Sequence, residues 1–507
     1  MDPKLALTHL SASDVPLRLL LFRTVLSLCG ATLPTALHSP IALALLLALA
    51  LPRAGVLVLT AASTHWGTLA PRYAANVLGS WRFSPEACFT ADFAPPDVAA
   101  TRAAAFAALL AKLQRTFPES GRIYADVGTR FSDIRFFDVK KIFFPFADMA
   151  QQLAVCVAVK STSGAYLVDA DDNRLLDVSG SYGVNVIGYD AFTKLANANH
   201  NAHLSSLGPV LGPIHPNLAS TLSLLSEFSG QPECSLHMSG TEAVMAAVRL
   251  CRFNTGRPLV ASFAAAYHGW YDGLQPGVGG GRPVPDVIVL NDMSPLSLTT
   301  IAARASELAC VIVNPLQAFT PNNPPPSDGV LMGKARSSGD DAVAGARDKY
   351  RQWLLKLRKV CDDAGVVLLF DEVYTGFRLA PGGAQEYFGV RADMVCYGKA
   401  LAGGMPVGAV CGPSRLMKRY DPDHPLNLCY VVGTFSAHPA VVLGVEAFLN
   451  KVKEMRAEYE TKHALWDRWV GSMNAELSAL GHPVRLAHFA SVWLFQYTTA
   501  SRYHWLM

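Results

Sequence analysis

Five short apolar runs recur through the middle of the chain: PLVASF (258–263), PDVIVL (285–290), ACVIVN (309–314), VVLLFD (366–371) and ADMVCYG (392–398). Runs this short and this apolar read as strands buried on both faces, the condition of a parallel sheet. Parallel neighbours need crossovers long enough to hold a helix, and the segments between most of these runs have that length. The pattern predicts an α/β fold, a mostly parallel sheet with helices on both faces. At 507 residues and 51% hydrophobic content, the chain has material for two or three domains around a large core. The expected division is a hydrophobic extension over 1–98, a helical and short-strand part over 99–205, the sheet domain over 206–445 and an incomplete α+β domain over 446–507.

Charge and cysteine usage narrow the function. Forty-three basic residues against 40 acidic ones leave a net charge of +3, so no basic field recruits nucleic acid. Ten cysteines are scattered without CxxC pairs or His/Cys ligand spacing, which predicts reduced core thiols and no metal site.

The amino terminus differs in kind. From Val15 to Pro85 there is no acidic residue, while Arg18, Arg23, Arg53, Arg72 and Arg82 punctuate an apolar background. PLRLLLFRTVLSLCGATL has the length and arginines of an interfacial helix. SPIALALLLALALPRAGVLVLTAAS is long enough to span a bilayer if Arg53 snorkels. The leading expectation is membrane association through residues 17–62; an organelle-targeting leader and a buried helical extension are the alternatives. Further on, AATRAAAFAALLAKLQ has helical spacing, and GAYLVDADDNRLLDVSGSYG reads as two short strands around a polar turn.

Three features of the sheet region point to one chemistry. VVLLFDEVYTGFR ends a buried run on Asp371 and Glu372, and open α/β sheets place ligands at the carboxyl ends of their strands. In SLHMSGTEAVMAAVRLCRF a strand leads through Ser239, Gly240 and Thr241 into a helix, whose first amides make an anion site. Lys399 follows the last apolar run in YGKALAGG, where low dielectric favours a neutral, nucleophilic amine. A cofactor bound through its aldehyde needs such a lysine, a phosphate cup and a carboxylate that keeps its pyridine nitrogen protonated. The alternatives are a capping role for Asp371 and Ser239 and a solvated Lys399.

The stretches SGTEAVMAAVRLCR, AAAYHGWYDG, LLFDEVYTGFRLAPGGAQEYFGVRADMVCYGKALAGGMPVGAVCG and VVGTFSAHP resemble the class III, fold type I pyridoxal-phosphate aminotransferases, including their aminomutase branch. The resemblance covers roughly residues 160 to 450. It implies a pyridoxal 5'-phosphate enzyme that moves an amino group between small-molecule donors and acceptors. By this resemblance Lys399 binds the cofactor aldehyde and shuttles the proton, and Asp371 pairs with the ring nitrogen. Val373 and Tyr267 cover the two ring faces, Gly240 and Thr241 hold the phosphate, and Thr434 reaches the phosphate of the neighbouring subunit of a homodimer. Tyr182, His268, Glu372 and Arg378 are candidates for substrate contact or support.

Two departures from the family pattern stand out. Asn314 occupies the place of the glutamate in the family's Val-Glu-Pro stretch, and a Pro-, Gly- and Ser-rich insertion after it reads as a surface loop. An epimerase or decarboxylase on the same scaffold, and a catalytically weak membrane-tethered dimeric scaffold, are the other readings.

Overall fold

The computed structural model describes residues 40–64, 84–90, 93–134, 147–153, 157–208, 210–264, 266–274, 284–291, 294–315 and 340–497. The expected interfacial helix near residue 20, most of the insertion after Asn314 and the last ten residues lie outside them. The chain divides into two compact units, one formed by residues 1–71 and 202–459, the other by 72–201 and 460–507.

The first unit is built on a seven-stranded sheet: β1 (Glu233–His237), β2 (Leu259–Phe263), β3 (Val287–Leu290), β4 (Leu308–Val313), β5 (Val367–Asp371), β6 (Met394–Tyr397) and β7 (Gly408–Gly412). Their spatial order is β1-β7-β6-β5-β4-β2-β3. All five apolar runs are strands, and β6, β5, β4, β2 and β3 pair in parallel. β7 departs from the parallel pattern, because it pairs antiparallel with both β6 and β1. Its sequence, GAVCG, is short and flanked by glycines, so periodicity hides it.

Helices cover both faces, as expected. The relevant ones are α1 (Pro40–Ser63), α2 (Leu218–Ser229), α3 (Gly240–Thr255), α4 (Pro295–Ala303), α5 (Asp340–Ala364) and α6 (Pro439–Glu454). The buried face of α3, including Val244, Val248 and Cys251, packs with Val260, Ile312, Leu369, Cys396 and Val410. Side chains alternate along a strand, so Phe263 points to the opposite face, where it meets Trp353 of α5 at a ring separation of 5.4 Å. Beyond β5, the Phe377 ring packs against Phe228 of α2, Tyr397 of β6 and Phe448 of α6. That cluster anchors the loop carrying Asp371 through Arg378.

The structure describes the second of the two apolar segments expected to meet a membrane. Among the described residues no helix is long and apolar enough to cross a membrane. Instead α1 docks on its own domain. The charge expected to snorkel is satisfied within the fold: the Arg53 guanidinium donates to both Glu307 carboxylate oxygens at 2.5 and 3.1 Å. Ser63 Oγ lies 2.9 Å from Thr300 Oγ1 on α4, and the Asn291 amide donates to the Ser63 carbonyl. The next residue, Thr64, bridges Leu290 on the outer strand β3.

The second unit contains the helices Pro96–Thr116 and Pro118–Arg130 and a three-stranded antiparallel sheet, Val159–Ser163, Tyr166–Asp169 and Arg174–Leu176. The first of these helices and the strand pair around the Asp172 turn match the sequence reading. Buried Asp169 closes that turn by accepting the amides of Asp171 and Asn173 at 3.0 and 2.7 Å. Near the carboxyl end, Val484–Phe489 and Val492–Tyr497 form an antiparallel hairpin, and Asn474 clamps Leu486 through two hydrogen bonds.

Candidate active site

The residues singled out in the sheet region gather at the carboxyl ends of the parallel strands, where crossovers leave room for a ligand. Asp371 is the last residue of β5, and Lys399 begins a tight turn two residues after β6. β5 and β6 are parallel neighbours with Asp371 beside Cys396. Asn314 follows β4, whose Val313 aligns with Phe370. His268 lies in the loop after β2, and Ser239 and Gly240 carry β1 into α3.

Asp371 is 2% exposed, and both of its oxygens are oriented. Oδ1 accepts the Val373 amide at 3.1 Å, and Oδ2 accepts His268 Nδ1–H at 2.7 Å. That bond places the other imidazole nitrogen, Nε2, in a buried position without a hydrogen-bond partner. Both Asp371 oxygens are thus held by named donors. Tyr267 is half exposed; burial raises its phenol pKa, and the Asp371 carboxylate adds to the rise.

Lys399 has a left-handed φ of 42°, a strained conformation for a residue with a side chain. Burial lowers its amine pKa; Asp371 opposes this and Arg378 reinforces it. Lys399 is half-buried. Its Nζ sits 5.5 Å from the centre of the Tyr374 ring, and the Arg378 guanidinium carbon lies 5.1 Å from the same ring. Tyr374 thus lies beside two cations. The sequence reading passed over it, although it stands inside the DEVYTGFR stretch.

The anion cup is shaped by capping. Ser239 Oγ accepts the Glu242 amide at 3.1 Å, while Glu242 Oε2 accepts the Met238 amide at 2.8 Å. These bonds fix the first turn of α3 and leave the amides of Gly240 and Thr241 at its positive end. Glycine is required at 240, since an added Cβ would lie 2.6 Å from Val373 Cγ1. Val373 is therefore packed against the cup.

Other candidates are placed differently. Glu372 turns inward, accepting the Ala384 and Gln385 amides at 2.6 and 3.0 Å and the Thr375 hydroxyl at 3.3 Å. Burial pushes its pKa up to about 7 against the pull of these donors. Arg378 is buried, and desolvation lowers its pKa. Asn314 is 3% exposed, with its Oδ1 buried and unpartnered. Thr434 is exposed in a loop beside exposed Tyr430, Val432 and Phe435. Tyr182 belongs to the second unit, is 65% exposed and has a left-handed φ of 58°.

The set fits a phosphorylated pyridine aldehyde: an amine driven toward its neutral form, an oriented buried carboxylate and a glycine-lined helix start. Comparison with known proteins agrees. Residues 147–274 and 342–468 match the aminotransferase class-III family. The chain belongs to that family.

Among curated class-III relatives, a glutamate-1-semialdehyde 2,1-aminomutase of Alkaliphilus oremlandii is 34% identical over 319 residues, 60% of this chain and 68% of that protein. One of Desulfotalea psychrophila is 32% identical, covering 66% and 74%. Among solved structures, a transaminase with pyridoxal phosphate bound is 28% identical, covering 67% of this chain and 77% of that one, with a TM-score of 0.55. A glutamate-1-semialdehyde aminomutase of Pseudomonas aeruginosa shares the fold at a TM-score of 0.61 and 18% identity, covering 80% and 85%. This class-III chain is a pyridoxal-phosphate-dependent aminotransferase or aminomutase of fold type I.

Proposed function

We propose that amino-group transfer to and from a small amino acid or amino aldehyde is carried out by Lys399, with Asp371 and His268 holding the cofactor ring in its reactive protonation state. The observation that supports this reading most is the half-buried Lys399 amine, lowered in pKa, one strand from the buried His268–Asp371 pair. Pyridoxal phosphate supplies the electron sink that makes a C–H bond beside the substrate nitrogen acidic.

The chain's own groups do the rest. With the cofactor bound, the Lys399 amine, driven toward its neutral form, would be the group that holds its aldehyde and, when free, the base that takes and returns the substrate proton. Asp371 would be the residue that pairs with the ring nitrogen and favours its protonated form, and His268 holds Oδ2 in place. Gly240 and Thr241 would hold the phosphate, and Val373 and Tyr267 would pack on the ring. Asn314, being neutral, adds no second negative charge beside Asp371. Thr434 reaches the partner's phosphate in a homodimer, a role supported by the exposed apolar side chains around it. The Arg378 charge opposes reprotonation of Lys399.

The test is a visible absorption spectrum of the purified protein with pyridoxal phosphate, beside Lys399→Ala, followed by titration with amino donors. A lysine-linked absorption band in the wild type alone, bleached by donors, is the expected result. An identical spectrum for the variant removes Lys399 from its role. Product analysis with and without a keto-acid acceptor then separates intermolecular transfer from migration within one molecule.

A further inference from the structure

Cys234 on β1 and Cys411 on β7 are direct partners in the antiparallel register. Directly opposed residues project to the same face with Cα atoms about 4.5–5.5 Å apart, inside the roughly 4.4–6.8 Å span that a disulfide bridges. The two thiols are in hydrogen-bond contact, and both are free. β1 is the outer strand of the sheet; Cys234 is half-buried there, whereas Cys411 is fully buried one strand in. Of the pair, Cys234 is the residue partly open to solvent and Cys411 is the fully buried one behind it.

A second thiol contact, Cys251 with Cys310, lacks that access. Both residues are fully buried between α3 and β4, and Cys251 Sγ is also 3.6 Å from Met394 Sδ.

We propose that Cys234 and Cys411 form a reversible cross-strand disulfide that bolts the outer strand β1 to β7 when the protein meets a small-molecule disulfide oxidant. In the first step Cys234, as thiolate, attacks one oxidant sulfur, forming a mixed disulfide and releasing one small thiolate. In the second, Cys411 gives up its proton and attacks Cys234 Sγ, the mixed bond breaks, and the second small thiolate leaves and is protonated. The two protein thiols are oxidised, and one oxidant disulfide is reduced to two thiols. The bond lies toward the end of the strand pair away from the Ser239 turn, so catalysis persists while separation of β1 from β7 becomes harder.

The holoenzyme is treated with oxidised glutathione, quenched with acid, and examined by intact mass, by non-reducing peptide mapping and by its thermal unfolding midpoint. The expected result is loss of the two thiol hydrogens, a peptide pair joining Cys234 to Cys411, and a raised midpoint that dithiothreitol reverses. Cys234→Ser abolishes both link and shift, while Cys361→Ser, which alters a thiol buried in α5, leaves the link intact. Protein that remains unmodified, carries only a glutathione adduct on Cys234, or links other cysteines overturns the proposal.

Discussion

Two buried acids on consecutive residues, Asp371 and Glu372, face different partners. Asp371 is oriented by His268 and serves the ligand side, so His268→Phe, which deletes a hydrogen bond to a charged group worth about 1.5–3 kcal/mol, is expected to speed loss of pyridoxal phosphate on dialysis about tenfold or more. Glu372 titrates near 7 in the folded protein, above its ordinary 4.5. Between those values the folded state keeps a proton that the unfolded chain releases. The stabilisation is thus complete below 4.5 and is lost as pH rises through about 7, a change on the order of 3 kcal/mol. Denaturant midpoints taken on both sides of that window should show the decline in the wild type and lose it in Glu372→Gln. The variant should also be weaker by about 1–3 kcal/mol, because its amide N–H₂ meets backbone donors. At this scale the positions of Lys399, Asp371 and the Gly240 turn at strand and helix ends were legible, since apolar runs and a capping pattern mark those ends. Tyr374 and the Cys234–Cys411 pair were not, because their meaning lies in a neighbour that spacing does not reveal.

Elements were legible where burial imposes a pattern. The parallel strands are apolar along their length because both faces are covered, whereas β7 is built of small residues for close approach. Gly408 opens β7, and a Cβ there would lie 2.0 Å from the Ser239 carbonyl oxygen, a backbone atom. Gly408→Ala is therefore expected to displace the cup, costing about 1–3 kcal/mol in a denaturant melt and weakening phosphate retention. Phe377→Ala, which empties the aromatic cluster under the catalytic loop, should cost about 3–5 kcal/mol. The α1 segment shows the opposite limit. An apolar run with one arginine has the same composition whether lipid or protein covers it, and the carboxylate that pairs with Arg53, Glu307, lies far along the chain.

For the whole molecule, the exposed hairpin and loop residues Leu426, Leu428, Tyr430, Val432 and Phe435 form an apolar stretch that a partner subunit would cover. Leu426→Asp is expected to shift sedimentation toward monomer and, if Thr434 acts across the interface, to weaken cofactor binding with it. No linear reading displays that the second unit joins residues 72–201 to 460–507. The insertion of β7 between β1 and β6 also bears on biosynthesis. A ribosome releases β1 and the start of α3 long before residues 408–412, yet β1 has no other neighbour in the sheet. Contacts of such high sequence separation form late. Nascent chains stalled short of Gly408 are therefore expected to carry Lys399 and Asp371 but no seated β1, and maturation of the phosphate cup becomes one of the last events in the folding of this unit.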